Sequence, residues 1–130
     1  MLLLGNKTMW IVGDNTEKQL GVDTTKDGNT YTATIVEVDL PVDANSSTGD
    51  KVEAAALSAG PYNSAFMTAD GRAFVWGNNQ YYQVLNMPQA KRFLWYPKLT
   101  YLNETRRIVD LQFGGFAFCP NAYSCTYRQR

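Results

Sequence analysis

The feature that most constrains this sequence is a short motif that occurs twice, 64 positions apart. The segment GDNTEKQLG (13–21) aligns with GNNQYYQVL (77–85), so that a glycine, an asparagine and a glutamine coincide. Each copy follows a run of aromatic and aliphatic residues, MWIV before the first and AFVW before the second. Because a repeated unit buries its apolar faces against its neighbours, the chain is expected to consist of stacked copies of one small unit.

A second alignment supports the repeat. The segments LSAG (57–60) and LQFG (111–114) each place a leucine three residues before a glycine. The long polar insertion at 22–50 accounts for the unequal spacing of the two alignments. We therefore expect one partial repeat structure over residues 1–130. Its predicted parts are repeats at about 1–50 and 51–106, the start of a third at about 107–118, and an irregular tail at 119–130.

Short apolar runs separated by turn residues predict an all-β fold. Residues 9–12 read as a strand that ends at Gly13, and residues 31–40 read as a half-buried strand that ends at Pro41. The polar residues 42–50 read as a loop. The alanine-rich segment 51–59 fits a strand or a helix, since alanine has the highest helix propensity.

A hairpin is the most specific local prediction. The segments AFMT and RAFVW flank Ala69-Asp70-Gly71, and Asp-Gly favours a two-residue turn in which both central residues have positive φ. The alternation of a strand places Phe74 and Trp76 on one face and Ala73 and Val75 on the other. Because an isolated hairpin is marginally stable, this one must pack against further strands.

The combined pattern resembles the repeat of the regulator of chromosome condensation family. That pattern is an aliphatic run ending in glycine, an Asp-Gly hairpin, and then Trp-Gly-x-Asn-x-x-x-Gln. The residues that carry it are, in the first copy, Gly13, Asn15, Gln19, Leu20 and Gly21, in the second Leu57, Gly60, Ser64, Phe66, Asp70, Gly71, Phe74, Trp76, Gly77, Asn79 and Gln83, and in the third Gly114. The resemblance covers most of residues 9–116. It implies β-propeller blades that form a partial, incomplete propeller.

The sequence departs from the family pattern at several positions. Asn63 and Ala117 stand where a histidine is usual, and the whole chain has none. Lys18 and Tyr82 replace the glycine expected before the glutamine, and Leu85 replaces the final glycine. Loop functions of the family are therefore not carried over to this chain.

Structural roles are expected for the repeated residues. Their glycines suit positive φ or close backbone approach, and their amide side chains suit hydrogen bonds to loop backbone. Phe74 and Trp76 are expected to anchor the packing between neighbouring sheets. The side chains predicted to be available for a partner are those of Tyr81, Tyr82, Trp95 and Tyr96. The loop 43–50 is a further surface of interest.

Catalytic, cofactor and metal sites find no support in the sequence. Without histidine, nucleophilic schemes that pair serine or cysteine with imidazole are excluded, and two cysteines cannot supply four zinc ligands. Cys119 and Cys125 are interpreted as accidental neighbours. The segment 39–50 lacks the ligand spacing of a calcium loop, and no phosphate-binding glycine loop occurs. The chain is therefore predicted to be non-enzymatic, with no cofactor.

Charge argues against strong nucleic-acid binding. Twelve basic and twelve acidic residues give zero formal net charge, so no field attracts phosphate. Basic residues flank the aromatic segment 93–102, which reads as a strand leading into the next blade, with a partner-binding patch as the alternative. The opening MLLL is too short for a signal peptide or a membrane span. An intracellular location, cytoplasmic or nuclear, is predicted, and an organelle remains compatible.

The resemblance raises the question of how such a chain closes. Propellers of this family form rings of about seven blades, whereas this sequence holds two repeats and the start of a third. The chain is then part of a longer ring, or it associates with its own copies, or a protein partner covers its open sides. A protein-interaction or scaffold module is the favoured function. The alternatives are guanine-nucleotide exchange on, or regulation of, a Ran-type small GTPase and, less favoured, an enzyme with an unrecognised site.

Overall fold

The computed structural model describes residues 1–24, 30–80, 93–100, 108–113 and 125–129. These residues form antiparallel β-sheets, which confirms the all-β prediction. In this part of the chain no helix is long and apolar enough to cross a membrane.

The first sheet contains three strands in the order β1-β2-β3. They are β1 (Leu2–Leu3), β2 (Met9–Asp14) and β3 (Tyr31–Glu37). Both strands predicted in this region are present, with shifted ends. Strand β2 continues past residue 12, its predicted last residue, to Asp14. Strand β3 ends at Glu37, before the predicted end at residue 40.

The second sheet is a four-stranded antiparallel meander, β4-β5-β6-β7. Its strands are β4 (Ala56–Ala59), β5 (Asn63–Met67), β6 (Ala73–Asn78) and β7 (Phe93–Thr100). The end of the alanine-rich segment is thus a strand. Pairing with β5, from Ala56 opposite Met67 to Ala59 opposite Ser64, outweighs the helix propensity of alanine.

The third sheet pairs β8 (Ile108–Phe113) with β9 (Cys125–Gln129). Strand β9 lies within the segment for which an irregular tail is predicted. Thr126 and Tyr127 are residue types that favour strands, but no Asp-Gly or Asn-Gly dipeptide lies between β8 and β9 to mark a hairpin.

The β5–β6 turn differs from the predicted one. Thr68 N–H donates to the carbonyl of Arg72 at 2.9 Å, which leaves a three-residue loop, 69–71. Gly71 has φ +87°, whereas Asp70 does not have positive φ. The prediction of a two-residue Asp-Gly turn is therefore wrong. The geometry is that of a three-residue hairpin whose last loop residue is left-handed.

The same turn occurs between β1 and β2, 64 positions earlier. Leu4 N–H donates to the carbonyl of Thr8 at 3.0 Å, and Lys7 N–H donates to the carbonyl of Leu4 at 2.9 Å. Lys7, the counterpart of Gly71, has φ +68°. The Asn6-Lys7 turn is thus a second copy of the hairpin, which the sequence analysis missed because lysine replaces the glycine.

A strand irregularity also recurs at the same offset. The pairing of β2 with β3 shifts between Ile11 and Gly13, and that of β6 with β7 shifts between Val75 and Gly77. Strands β1, β2 and β3 therefore correspond to β5, β6 and β7. In the described part of the chain, the first sheet has no counterpart of β4.

Aromatic side chains form the centre of the second sheet. The rings of Phe66 and Phe74 stack with centroids 4.7 Å apart, and Trp76 meets Phe66 edge-on at 6.2 Å. Phe74 and Trp76 share a face, as predicted. All residues of β6 are buried, because both faces of this sheet are covered at its central strands, β5 and β6. Strand β1 contacts β4, and β8 contacts β4 and β5.

Candidate functional site

The end of β2 and the loop that follows it carry the first copy of the repeated motif, and residues 13–24 are called the clamp loop here. Asn15 organises it from within. The side-chain amide of Asn15 donates to the carbonyl of Val22 at 3.0 Å and to the hydroxyl of Thr24 at 3.2 Å. The backbone N–H of Leu20 donates to the Asn15 amide oxygen at 3.0 Å. Because Asn15 is fully buried, these bonds fix the shape of the loop.

Gln19 connects the clamp loop to the second sheet. Its amide nitrogen donates to the Asp14 carboxylate at 3.0 Å and to the carbonyl of Pro61 at 3.4 Å. The hydroxyl of Ser64, on β5, donates to the Gln19 carbonyl at 2.6 Å. A second polar link joins Asn78, at the end of β6, to the carboxylate of Glu17. The clamp loop is therefore bound to both strands of the central hairpin.

Gly21 allows Trp76 to pack against the clamp loop. Gly21 has φ +69°, and a Cβ at this position would lie 2.7 Å from the indole nitrogen of Trp76. The final glycine of the repeated motif is thus required by the close approach of a fully buried ring.

Asn63 occupies the position at which the family usually has histidine. Its side-chain amide donates to the carbonyls of Trp76 at 3.3 Å and Asn78 at 2.6 Å. Both acceptors lie on β6, beside the irregular pairing at Gly77. The Asn63 amide therefore supplies hydrogen-bond donors to these two backbone carbonyls without an imidazole.

Lys18 replaces a family glycine, and its backbone explains the family preference. Lys18 has φ +62°, a conformation that costs a residue with a Cβ about 1–2 kcal/mol. We expect Lys18→Gly to raise the free energy of unfolding by about 0.5–1 kcal/mol, since strain relief exceeds the added unfolded-state entropy. Urea denaturation measures the change. Ala44→Gly, on an exposed loop without positive φ, is the control and should be neutral or destabilising. A loss of stability with Lys18→Gly would contradict the strain argument.

The loop 43–50 is attached to the second hairpin through an ion pair. The guanidinium of Arg72 binds the Asp43 carboxylate through both oxygens, at 2.7 and 2.9 Å. This hydrogen bonding lowers the pKa of Asp43 to about 2 and raises that of Arg72. One other carboxylate of this loop, that of Asp50, is bound locally, since the hydroxyls of Ser46 and Thr48 donate to it.

The Asp43 pKa predicts an acid-sensitive contribution to stability. Its pKa is 3.8 when unperturbed and about 2 in the fold, so its contribution is complete above pH 4 and is lost as the pH falls towards 2. Asp43→Asn should remove this part of the pH dependence. The check is the urea midpoint of both proteins from pH 5 to pH 2. Arg72→Gln should flatten the profile in the same way. Parallel profiles for the three proteins would contradict this role of the pair.

The predicted partner-binding residues are only partly described. Tyr96 lies on β7, the edge strand of the second sheet, and is exposed. Trp95 lies on the same strand, and its side chain lies outside the description, as do the residues Tyr81, Tyr82, Gln83 and Gly114. Three further residues of the repeated motif lie among the described residues. Asn79 is buried, the N–H of Gly60 donates to the carbonyl of Asn63, and Gly13 has φ +126°.

An exposed apolar surface on the first sheet was missed by the sequence analysis. It consists of Leu2, Trp10, Val12 and Ile35 and is called the open face. Leu2, Val12 and Ile35 are 53%, 50% and 46% exposed. The repeat alignment could have pointed to this surface, since Trp10 and Val12 are the counterparts of Phe74 and Trp76. Those two side chains are buried on the second sheet.

The described side chains form no group of three or more histidine, cysteine, aspartate or glutamate residues that could hold a metal ion. A groove of about 520 Å³ lies between the β1–β2 turn and residues 50–53. Its charged lining includes an ion pair of Lys51 with Asp39 at 3.0 Å. These features do not form a constellation for general acid–base or nucleophilic chemistry.

Comparison with known proteins identifies the repeat. Residues 54–83 match the model of the regulator of chromosome condensation (RCC1) repeat. A search of curated protein sequences found no match. Human WBSCR16 is similar in structure, with TM-score 0.65 and 19% identity, over 87% of this chain and 25% of that one.

Two yeast structures are similar as well. RCC1 (Prp20) bound to Kap60 has TM-score 0.65 and 18% identity, over 87% of this chain and 25% of that one. Prp20p from Saccharomyces cerevisiae has TM-score 0.62 and 17% identity, over 87% and 26%. The chain thus spans about a quarter of the length of these proteins. Residues 54–83 thus match the RCC1 repeat, and the chain has the fold of part of an RCC1-type β-propeller.

Proposed function

We propose that this chain is a non-enzymatic protein-interaction or scaffold module whose open face binds a protein surface. The observation that carries the proposal is the contrast between two equivalent sheet faces. Phe66 and Trp76 are 0% exposed, with the clamp loop against Trp76, whereas their counterparts Leu2 and Val12 are about half exposed. Apolar side chains grouped on one exposed sheet face are typical of a surface that another protein covers.

The internal packing of the chain indicates how such a surface is covered. On the second sheet, an apolar face meets a polar loop that contributes backbone carbonyls and a glycine. The open face has the same strand arrangement. Asp14, the last residue of β2, holds the repeat position that Asn78 holds at the end of β6. A protein partner that presents a comparable loop or sheet would bury Leu2, Trp10, Val12 and Ile35.

Light scattering with circular dichroism tests this proposal. We expect the chain, 14.6 kDa as a monomer, to show a mass that rises with concentration, because uncovered apolar faces associate. The double variant Val12→Glu/Ile35→Glu should shift the mass towards the monomer. Tyr96→Glu, on the opposite edge of the second sheet, is the matched control and should not. A folded monomer at all concentrations would contradict the proposal, and dissociation by Tyr96→Glu alone would assign the interface to β7.

Regulation of a small GTPase is the second candidate. One of the similar proteins, Prp20p, has binding properties to Gsp1p and histones, and another of the similar structures has Kap60 bound to yeast RCC1. This chain spans about a quarter of those proteins. Release of a labelled guanine nucleotide from a Ran-type GTPase separates the two functions. A scaffold leaves the release rate unchanged, whereas an exchange factor raises it in proportion to its concentration.

A further inference from the structure

We infer that Ser47, in the loop 43–50, is a phosphorylation site for a protein kinase that prefers acidic substrates. This inference goes beyond the proposed function, because it concerns a surface other than the open face. In the reaction, the hydroxyl oxygen of Ser47 attacks the γ-phosphorus of ATP. The bond from that phosphorus to the β,γ-bridging oxygen breaks, ADP leaves, and the hydroxyl proton passes to a base of the kinase.

The sequence pattern of an acidic phosphorylation site occurs at more than one residue. A carboxylate follows a hydroxyl residue by three positions at Thr24, Thr34 and Ser47. Kinases of this class select their substrates by charge, because basic groups beside the active site bind that carboxylate. The sequence alone therefore does not choose among these residues.

The structure argues against the two threonines. Thr24 lies in the clamp loop and is 5% exposed. Thr34 lies within β3, which pairs with β2 both before and after this residue. A kinase binds the acceptor segment in extended form along its own surface. A residue that is buried, or held on both sides in a ladder of strands, is therefore a poor substrate.

Ser47 is the acceptor that the fold leaves accessible. It lies outside the sheets, in the loop 43–50, and its side chain is exposed. The neighbouring hydroxyls of Ser46 and Thr48 donate to the Asp50 carboxylate. Among the described residues, no hydrogen bond engages the hydroxyl of Ser47. Its oxygen is thus available to a kinase, with Asp50 as the carboxylate three positions later.

The closed shape of the loop limits the rate at which a kinase can use Ser47. The N–H of Asp43 donates to the carbonyl of Asp50 at 2.8 Å, and the guanidinium of Arg72 binds the Asp43 carboxylate. A kinase must separate the two ends of the loop to extend the acceptor segment. Loss of the ion pair between Asp43 and Arg72 should therefore speed phosphorylation.

A phosphate on Ser47 should in turn weaken this ion pair. It adds a charge of about −1.5 to −2 at pH 7 to a short loop that already contains the carboxylates of Asp43 and Asp50. The cations Arg72 and Lys51 already bind carboxylates. Repulsion within the loop should therefore loosen its attachment to the second hairpin.

Incubation of the full 130-residue chain with casein kinase II, Mg²⁺ and ATP tests the inference, with the phosphate located by mass spectrometry. We expect incorporation at Ser47 and a rate at least tenfold lower in Ser47→Ala. Thr34→Ala is the matched control and should leave the rate within twofold. No incorporation into the chain, or equal incorporation into Ser47→Ala, would overturn the inference.

Free peptides separate the contribution of the fold from that of the sequence. Peptides with the sequences of residues 29–40 and 42–53 carry Thr34 and Ser47, each with its acidic residue. Relative to its own peptide, Thr34 in the folded chain should be phosphorylated at least tenfold more slowly than Ser47. An equal ratio for the two residues would show that the fold does not select Ser47.

The variant Arg72→Gln tests the link between Ser47 and the ion pair. It should raise kcat/KM for phosphorylation of Ser47 several-fold. Phosphorylation should lower the urea midpoint of the unaltered chain, and it should lower that of Arg72→Gln less, because no ion pair remains to be weakened. An unchanged rate in Arg72→Gln, or an equal shift of both midpoints, would contradict this link.

Discussion

Replacing Gly77 by alanine should be the most destabilising single-methyl change in the described part of this chain. Gly77 has φ +105°, and a Cβ there would lie 2.3 Å from the carbonyl oxygen of Tyr62 and 3.0 Å from Cα of Asn63. Both atoms belong to backbone, so the overlap cannot be relieved by a side-chain rotation. Backbone strain together with displacement of paired strands should lower the free energy of unfolding by about 3 kcal/mol or more.

The repeat supplies a matched control for this change. Gly13 lies 64 positions earlier at the equivalent irregularity, with φ +126° and no atom within 4 Å of an added Cβ. Gly13→Ala should cost the backbone term alone, about 1–2 kcal/mol. Urea denaturation followed by circular dichroism measures both variants. Equal losses at Gly13 and Gly77 would show that the close approach of Tyr62 does not matter.

Truncating Trp76 should produce a loss of similar size by a different cause. Its side chain is 0% exposed, meets Phe66 edge-on and covers Gly21 of the clamp loop. Trp76→Ala removes a large buried ring and leaves a cavity between the second sheet and the clamp loop. The expected loss is about 3–5 kcal/mol in the free energy of unfolding. Thermal and urea denaturation give the value.

Val12→Ala is the corresponding control in the first sheet. Val12 occupies the same repeat position as Trp76 but is half exposed on the open face. Its truncation in the monomer should cost less than about 1 kcal/mol. A small loss at Trp76, comparable to that at Val12, would mean that the clamp loop does not pack on the second sheet as described.

Much of the fold could be predicted because the repeated unit is marked by short sequence patterns. The strand at β2, the hairpin of β5 and β6, and the shared face of Phe74 and Trp76 all follow from short-range patterns. The Asn6-Lys7 turn could not be found in this way. Its geometry matches that of Asp70-Gly71, but a lysine adopts the left-handed conformation that a glycine usually marks.

Long-range pairing decided the remaining features. The sequence of the alanine-rich segment fits a strand or a helix, and its ladder with β5 makes Ala56–Ala59 a strand. The offset between sequence repeats and sheets was also hidden. The sequence predicts blade-like repeats at about 1–50 and 51–106, and the pairing shows that, among the described residues, the first sheet has no counterpart of β4.

The candidate surfaces were predicted less well for a physical reason. Aromatic residues such as Tyr96 attract attention as binding groups, while Leu2, Val12 and Ile35 read as ordinary strand residues. Whether an apolar strand face is buried depends on the sheet beside it, which composition does not reveal. The alignment of Val12 with Trp76 becomes informative once the clamp loop is known to cover one and not the other.

Native-state hydrogen exchange, measured residue by residue, tests the central claim most directly. The claim is that the second sheet is covered on both faces while the first sheet is covered on one. At concentrations where Val12→Glu/Ile35→Glu is monomeric, this variant should exchange β6 amides, such as those of Val75 and Trp76, only through global unfolding. The β1 and β3 amides should exchange faster, through local opening. Equal protection of β3 and β6 would contradict the account, because it would mean that both sheets are enclosed to the same degree.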